Sequence, residues 1–345
     1  MGSYERLLAL RHVTGLTQKD FAPLLGIRQS HYSQIEKGLR PLAESQRRTL
    51  IELFNLEPDY FEAEAIPYNA SSLNYRRRKL SARQVAMATA TFGLTEQFLT
   101  RDHGPSELAS ICEGPVKSKR SRPEIAKLAA ETRRLIGVPQ DKAINNVTRC
   151  MQRIGILVAP LKNPQLELEK IDGISTPSYR FKPFVTTLNY QVPGDRFRFS
   201  AAHELGHIIL HSAGHDGSLA DREAEADAFA AEFLMPRGTF LHLLSPDLTL
   251  NSFARLKAEW GVSIQALIRR NFDLGFIDRE RYRSLNIQVA NRGWKKKEPI
   301  PIPVEKPLNS APRFVSELEV DGLSAPVESG PLAEVLDLSS FRDRD

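Results

Sequence analysis

The strongest constraint on how this chain folds is a pentapeptide with histidines at its first and fifth positions, His203-Glu204-Leu205-Gly206-His207. The surrounding residues 199–211 contain no proline and are largely apolar, which predicts one buried helix through the whole stretch. On a helix His203 and His207 lie on one face, about 6 Å apart. Two imidazoles at that separation can bind one zinc ion, and Glu204 would lie beside them to take a proton from the attacking water. Gly206 inside the helix indicates close packing at that turn.

A catalytic zinc needs a third protein ligand and one open position. Residues 219–235 can supply that ligand, because acidic residues there precede an apolar stripe on a second predicted helix. Glu223 and Asp227 are four residues apart, so one can bind metal while the other accepts the second N–H of a ligand histidine. Glu225 lies about 200° around the helix from Glu223 and is the poorer candidate. An acidic first turn favoured by the helix dipole would explain the charge, but not its coincidence with the upstream pentapeptide.

Two further histidines follow the pentapeptide. His211 lies one turn after His207 on the same face, and a fourth protein ligand would leave no room for water. We therefore expect His211 to lie behind the metal ligands rather than on the metal. His215 belongs to the loop at residues 212–218, and we expect it to be solvated.

Together, the stretches 203–211 and 223–236 look like the ImmA/IrrE family of zinc metallopeptidases, in which His-Glu-x-x-His precedes a Glu-x-x-Ala-x-x-Phe-Ala helix ending in Leu-Met-Pro. The resemblance covers roughly residues 120–275. It implies His203, His207 and Glu223 as metal ligands and Glu204 as the general base. The implied cofactor is Zn²⁺, with Mn²⁺ as the alternative.

The N-terminal region carries a second, independent pattern. Residues 17–20 begin a short helix with a capping pattern, Gly26 ends it, and a second helix is predicted over residues 29–37. Two helices joined by a tight turn, with small polar residues at the front of the second, predict a helix-turn-helix. Pro23 departs from this pattern and should kink the first helix. The candidate DNA contacts are Gln18, Arg28, Gln29, Ser30, Ser33 and Gln34.

Residues 4–60 resemble the xenobiotic-response-element (XRE) family of repressor-type helix-turn-helix domains. The resemblance implies a double-stranded DNA operator as partner and a homodimer as the expected state. The alternative is a small helical interaction domain that no longer binds DNA. The net charge of +5 and the basic stretches at residues 76–79 and 117–122 suit a nucleic-acid partner, although solvated linkers would also contain such stretches.

The rest of the composition bears on location. Cys112 and Cys150 have no paired spacing, which indicates a reducing cytoplasm rather than a disulfide scaffold. The sequence shows no signal peptide and no apolar stretch of about 18 residues, so we expect neither secretion nor membrane insertion.

These patterns predict a multidomain chain: an all-α helix-turn-helix domain followed by an α+β, zincin-like metallopeptidase domain with a small sheet and a helical C-terminal part. The expected boundaries are residues 1–62 for the DNA-binding domain, 63–122 for a helical connector with basic stretches, 123–290 for the peptidase domain and 291–345 for a Pro-rich, partly ordered tail. Further helices are expected at 81–99, 124–136, 141–154, 250–259 and 264–274, and strands at 155–158, 173–176 and 184–188.

The function expected from the two resemblances is that of a cytoplasmic, DNA-binding zinc metallopeptidase that regulates transcription. Its expected substrate is a helix-turn-helix repressor protein, whose cleavage relieves repression. Two alternatives remain open. The chain could be a DNA-binding repressor whose peptidase-like domain senses a ligand or partner without catalysis, or a repressor that cleaves itself between its domains, near residues 62–80.

Overall fold

A computed structural model gives the fold of residues 3–63, 80–100, 119–176 and 183–306. Within these ranges the chain forms thirteen α-helices and one three-stranded sheet. The helices are α1 (Ser3–Thr14), α2 (Gln18–Phe21), α3 (Gln29–Glu36), α4 (Glu44–Phe54), α5 (Ala82–Thr100), α6 (Arg122–Leu135), α7 (Val147–Arg153), α8 (Gly194–His211), α9 (Leu219–Leu234), α10 (Arg237–Leu243), α11 (Leu250–Trp260), α12 (Ile264–Asp273) and α13 (Arg279–Asn291). The strands are β1 (Leu157–Pro160), β2 (Gly173–Ser175) and β3 (Val185–Leu188). None of the helices in these ranges combines the length and apolar character needed to cross a membrane.

The N-terminal helices surround a small core of their own. Its fully buried side chains include Leu10, Phe21, Tyr32, Ile35, Leu50 and Phe54. The predicted interruption at Pro23 is confirmed: α2 stops at Phe21, and Ala22–Leu25 continues as a 3₁₀ turn. Proline lacks the N–H that an α-helix would need there. Gly26 then ends the turn with a φ of 65°, a left-handed conformation that glycine adopts without strain.

The sheet has the order β1-β3-β2, with β1 parallel and β2 antiparallel to β3. Because side chains alternate along a strand, the sheet presents two apolar faces. Val158 and Leu188 pack into the core around α8, whereas Ile174 and Val185 pack towards α5. The sheet is therefore a layer between α5 and the helix that carries the histidine pair.

Helix α5 is buried on two sides. Ala90 and Leu94 belong to the core of the N-terminal helices, whereas Val85 and Phe92 pack on the sheet. The Asn163 amide strengthens this arrangement by donating to the Val13 carbonyl oxygen at 3.1 Å and to Thr91 Oγ1 at 2.9 Å. The helix predicted as a connector is thus an internal layer between the two domains.

Two elements begin two or more residues later than predicted. The helix expected at 141–154 begins only at Val147, because the Asn146 side chain caps its first turn. The carbonyl groups of residues 142, 144 and 145 instead accept hydrogen bonds from the buried guanidinium groups of Arg133 and Arg198. The strand expected at 155–158 begins at Leu157, because Gly155 has a φ of 81° in the turn after α7.

Helices α8 and α9 pack tightly against each other at Gly206. A Cβ atom at this position would lie 3.1 Å from Phe229 Cδ1 and 3.3 Å from Ala226 Cα, both on α9. The close packing predicted from the glycine is therefore confirmed. The absence of a side chain lets the two helices approach at the level of the histidine pair.

The first part of the predicted tail packs on the domain. Glu298 accepts from the backbone N–H of Ile264 at 2.8 Å, at the start of α12. Glu305 accepts from the N–H of Val147 at 2.6 Å, at the start of α7, and pairs with Arg198 on α8. Residues 298–306 are thereby tied to three helices, and residues 307–345 lie outside the described ranges.

Candidate metal centre

The two histidines of the pentapeptide face each other on α8. His203 Nε2 and His207 Nε2 are 3.0 Å apart, and the rings cross almost at right angles. Both residues are buried, with 5% and 0% of their surface exposed. The helix places them as the four-residue spacing predicts, with one nitrogen of each ring directed at a common point.

Glu223 reaches the same point from α9. Its carboxylate oxygens lie 3.5 Å from His203 Nε2 and 3.3 Å from His207 Nε2. Both oxygens are buried, and neither makes a well-formed hydrogen bond with a described residue. Two imidazole nitrogens and a carboxylate oxygen form a donor set that zinc accepts, and a buried carboxylate without hydrogen bonds needs a cation. These residues therefore fit a metal ion.

Asp227 lies one turn further along α9. Its Oδ1 is 2.9 Å from His203 Nδ1, the ring nitrogen that faces away from Glu223. A carboxylate in this position fixes the orientation of the ring and keeps Nε2 directed at the candidate metal position. Glu223 and Asp227 thus occupy two different positions around His203.

Glu204 lies beside the histidines, under strand β2. It is only 2% exposed, and a Cβ atom at Gly173 would come within 2.8 Å of its Cγ atom. Burial, opposed by the attraction of His203, raises the pKa of Glu204 to about 8. Ser175, two residues along the strand, lies beside the same carboxylate. Gly173 and Ser175 were not among the predicted site residues, although a glycine within a predicted strand is a signal of close approach.

The two histidines have opposite electrostatic environments without metal. Burial lowers the pKa of His203, but its hydrogen bond with Asp227 and its contact with Glu223 outweigh burial and raise that pKa to about 10. Burial lowers the pKa of His207 to about 3, so its ring is neutral. Burial opposes the charge of Glu223, but its contacts with the two histidines hold the pKa of this carboxyl well below its usual range.

A second group lies behind His207. His211 Nδ1 is 3.0 Å from His207 Nδ1, and His211 Nε2 and His215 Nε2 lie 3.3 and 3.6 Å from Glu225 Oε2. The expectation that His215 is solvated was wrong: its side chain is 1% exposed, because the loop after α8 folds it towards Glu225. Burial lowers the pKa of His211 to about 4.

Arg120, from the basic stretch at residues 117–122, also reaches Glu225. Its backbone N–H donates to Glu225 Oε1 at 2.6 Å, and its guanidinium group lies 3.7 Å from Oε2. Burial opposes the charge of Glu225, but hydrogen bonds from His211 and Arg120 lower its pKa to about 2. Arg120 is therefore not a phosphate contact. The stretch at residues 76–79 lies outside the described ranges.

The candidate DNA contacts lie on or next to α3. Arg28, Gln29, Ser30 and Gln34 are exposed, and Ser33 is half-buried. Gln18 differs from these residues, because its side chain bonds to Glu36 and accepts from Gln29 Nε2 at 3.4 Å. The exposed members form the surface that the front of a recognition helix would offer to DNA.

Comparison with family models gives two matches. Residues 151–271 match a peptidase family model described as the IrrE N-terminal-like domain, and residues 14–61 match a helix-turn-helix model. The chain joins a helix-turn-helix domain to an IrrE-like peptidase domain. The matches confirm both predicted resemblances and the fold class. The IrrE-like match contains α8 and α9, and hence the candidate metal centre. A search of curated proteins gave no match.

Proposed function

We propose that this chain is a DNA-binding zinc metalloendopeptidase that regulates transcription in the cytoplasm by cleaving a helix-turn-helix repressor protein. The observation that carries the enzymatic part is the convergence of His203, His207 and Glu223 on one point, with the buried carboxyl group of Glu204 beside it. The helix-turn-helix match on the same chain supports the regulatory part. The choice of a repressor as substrate comes from the resemblance to the ImmA/IrrE family.

His203, His207 and Glu223 would hold the zinc ion, which supplies Lewis-acid activation of water and polarisation of the scissile carbonyl group. Glu204 would act as the general base. Without metal, burial raises the pKa of this carboxyl group above its usual range, and its position beside the histidines suits a group that accepts and returns a proton. Glu204 would take the proton of the attacking water and deliver it to the leaving amine. Asp227 would hold the His203 ring in place during both steps.

Strand β2 offers a way to hold a peptide substrate. It pairs with β3 alone among the described strands, so no described strand lies along its other edge. An extended peptide can add to such an edge through main-chain hydrogen bonds. Because Gly173 of β2 touches Glu204, this edge borders the proposed base.

The test uses the purified full-length protein, zinc and candidate repressors encoded near its gene. We expect the wild type to cut a repressor, and Glu204→Gln to lose cleavage while still binding one zinc ion. A Glu204→Gln protein that cleaves normally would refute the role of the base. Fragments of the chain itself, cut near residues 62–80, would instead support self-cleavage.

One observation favours a second candidate, the non-catalytic sensor. Glu204 and His207 are 2% and 0% exposed, and β2 lies against Glu204, so these side chains offer little surface to a substrate in this conformation. A reporter gene under the control of this protein separates the two functions. If derepression persists in Glu204→Gln cells, the domain acts by binding rather than by cleavage.

A further inference from the structure

The cluster of His211, His215 and Glu225 has no role in the function proposed above. One donor atom from each residue lies within 4.8 Å of the others, an arrangement that could hold a second metal ion. The same cluster touches His207, because the Nδ1 atoms of His207 and His211 are 3.0 Å apart. It is therefore either a second metal site or a hydrogen-bonded extension of the first.

The hydrogen bonds around His215 argue against a second metal ion. The backbone N–H of Gly217 donates to His215 Nδ1 at 2.9 Å, so this nitrogen carries no proton. The proton of the neutral ring is then on Nε2, the atom that faces Glu225, and a nitrogen that carries a proton has no lone pair for a metal. Glu225 is also already neutralised, because the Arg120 guanidinium group lies 3.7 Å from its Oε2 atom.

The positions of protons along α8 follow from the same reasoning. His207 Nε2 faces His203 and Glu223, so a metal there requires the proton of His207 to be on Nδ1. Among the residues that the structure describes, the acceptor for that N–H is His211 Nδ1, at 3.0 Å. The proton of His211 must then be on Nε2, which lies 3.3 Å from Glu225 Oε2. Each donor in this series meets one acceptor.

We propose that His211 and Glu225 form a hydrogen-bond relay that keeps His207 in the tautomer able to bind metal through Nε2, with Arg120 holding the Glu225 carboxylate in position. The relay rests on the metal centre proposed above. The relay does for His207 what Asp227 does for His203, where the carboxylate contacts the ring directly. His211 is thus a positioning residue, and loss of an outer partner of this kind typically weakens metal binding by about 10- to 100-fold.

Zinc titration against a competing chelator tests the relay through stoichiometry and affinity. We expect the wild type to bind one zinc ion and His211→Phe to bind it about 10- to 100-fold more weakly. His211→Asn should recover part of the affinity, since its amide oxygen can occupy the position of Nδ1 and accept from His207. His215→Gln is the matched control and should change neither value appreciably. Circular dichroism would verify that each variant is folded.

The outcomes separate the relay from the metal centre itself. Two zinc ions in the wild type, with one lost in His215→Gln, would overturn the relay in favour of a second metal site. One zinc ion with unchanged affinity in folded His211→Phe would overturn the relay and leave the metal centre intact. Failure of the wild type to bind zinc would overturn both.

A second measurement needs no variant. In ¹⁵N-labelled, zinc-loaded protein, histidine nitrogen shifts report which ring nitrogen carries the proton. We expect the proton on Nδ1 of His207 and on Nε2 of His211. A proton on Nδ1 of His211 would refute the relay.

Discussion

Gly206→Ala probes the contact on which the candidate metal centre depends. The new methyl group would meet Phe229 Cδ1 at 3.1 Å and Ala226 Cα at 3.3 Å, so α8 and α9 would have to separate by a few tenths of an ångström. Overpacking of this kind costs about 1–3 kcal/mol, whereas replacing a helical glycine by alanine stabilises the helix by about 1 kcal/mol. The expected net destabilisation is therefore only about 0–2 kcal/mol.

The effect on zinc should be larger than the effect on stability. Glu223 lies on α9, and its oxygens are 3.3 and 3.5 Å from the histidine nitrogens on α8. Separating the helices moves this ligand away from the other two, and metal sites tolerate about 0.2 Å of error in their ligand distances. We expect zinc affinity to fall about tenfold or more, measured by chelator competition, with a shift of a few degrees in the melting temperature of the metal-free protein.

Gly238→Ala is the matched control. Gly238 lies in the first turn of α10, and a Cβ atom there meets nothing within 4 Å. This variant should be as stable as the wild type or up to about 1 kcal/mol more stable, with unchanged zinc affinity. If Gly206→Ala matched the control in both measurements, the packing argument would be refuted.

Three further predictions concern other parts of the molecule. Contacts with Asp227 and Glu223 outweigh burial and raise the pKa of His203 to about 10. Because only the neutral ring binds metal, zinc affinity should rise about tenfold per pH unit between pH 7 and 9, and a flat chelator-corrected profile would contradict this. Glu305→Gln should cost about 3 kcal/mol in urea unfolding, since Arg198 would be left as a buried, unpaired charge, and a loss below about 1 kcal/mol would contradict the pairing. Arg28→Ala should lower the slope of log affinity against log salt concentration for a mixed-sequence duplex by about one, the value for one phosphate contact, measured by fluorescence anisotropy. Arg269→Ala in the peptidase domain should leave that slope unchanged.

The parts of the site that the sequence could predict are those within one helix. His203 and His207 follow from the four-residue spacing, and α9 brings Glu223 and Asp227 to two positions around His203 because they share a helix face. Gly173 lies 30 residues before the pentapeptide, so its contact with Glu204 depends on the path of the chain between β2 and α8. Periodicity carries no information about that path.

The same distinction explains the errors. Helix α7 begins later than predicted because Arg133 of α6 and Arg198 of α8 donate to the backbone carbonyl groups of residues 142 and 144. In a longer helix those carbonyl groups would accept from the next turn. His215 is buried because it packs towards Glu225 on α9. The composition of the Gly-rich loop that contains His215 does not indicate such a partner. Both of these errors concern residues whose environment is set by side chains from other helices.

The position of α5 determines how the two domains can influence each other. Leu94 of α5 packs in the core of the N-terminal helices, while the sheet side of α5 packs against Ile174 of β2. Ile174 is flanked by Gly173, which touches Glu204, so a short series of packed residues joins the helix-turn-helix to the proposed base. Coupling between two binding sites is reciprocal by thermodynamic necessity. If α5 transmits displacement, the factor by which duplex DNA changes zinc affinity must equal the factor by which zinc changes DNA affinity. Factors different from one would show that the two sites are coupled, as packing through α5 predicts, whereas factors of one in both titrations would reduce α5 to a spacer.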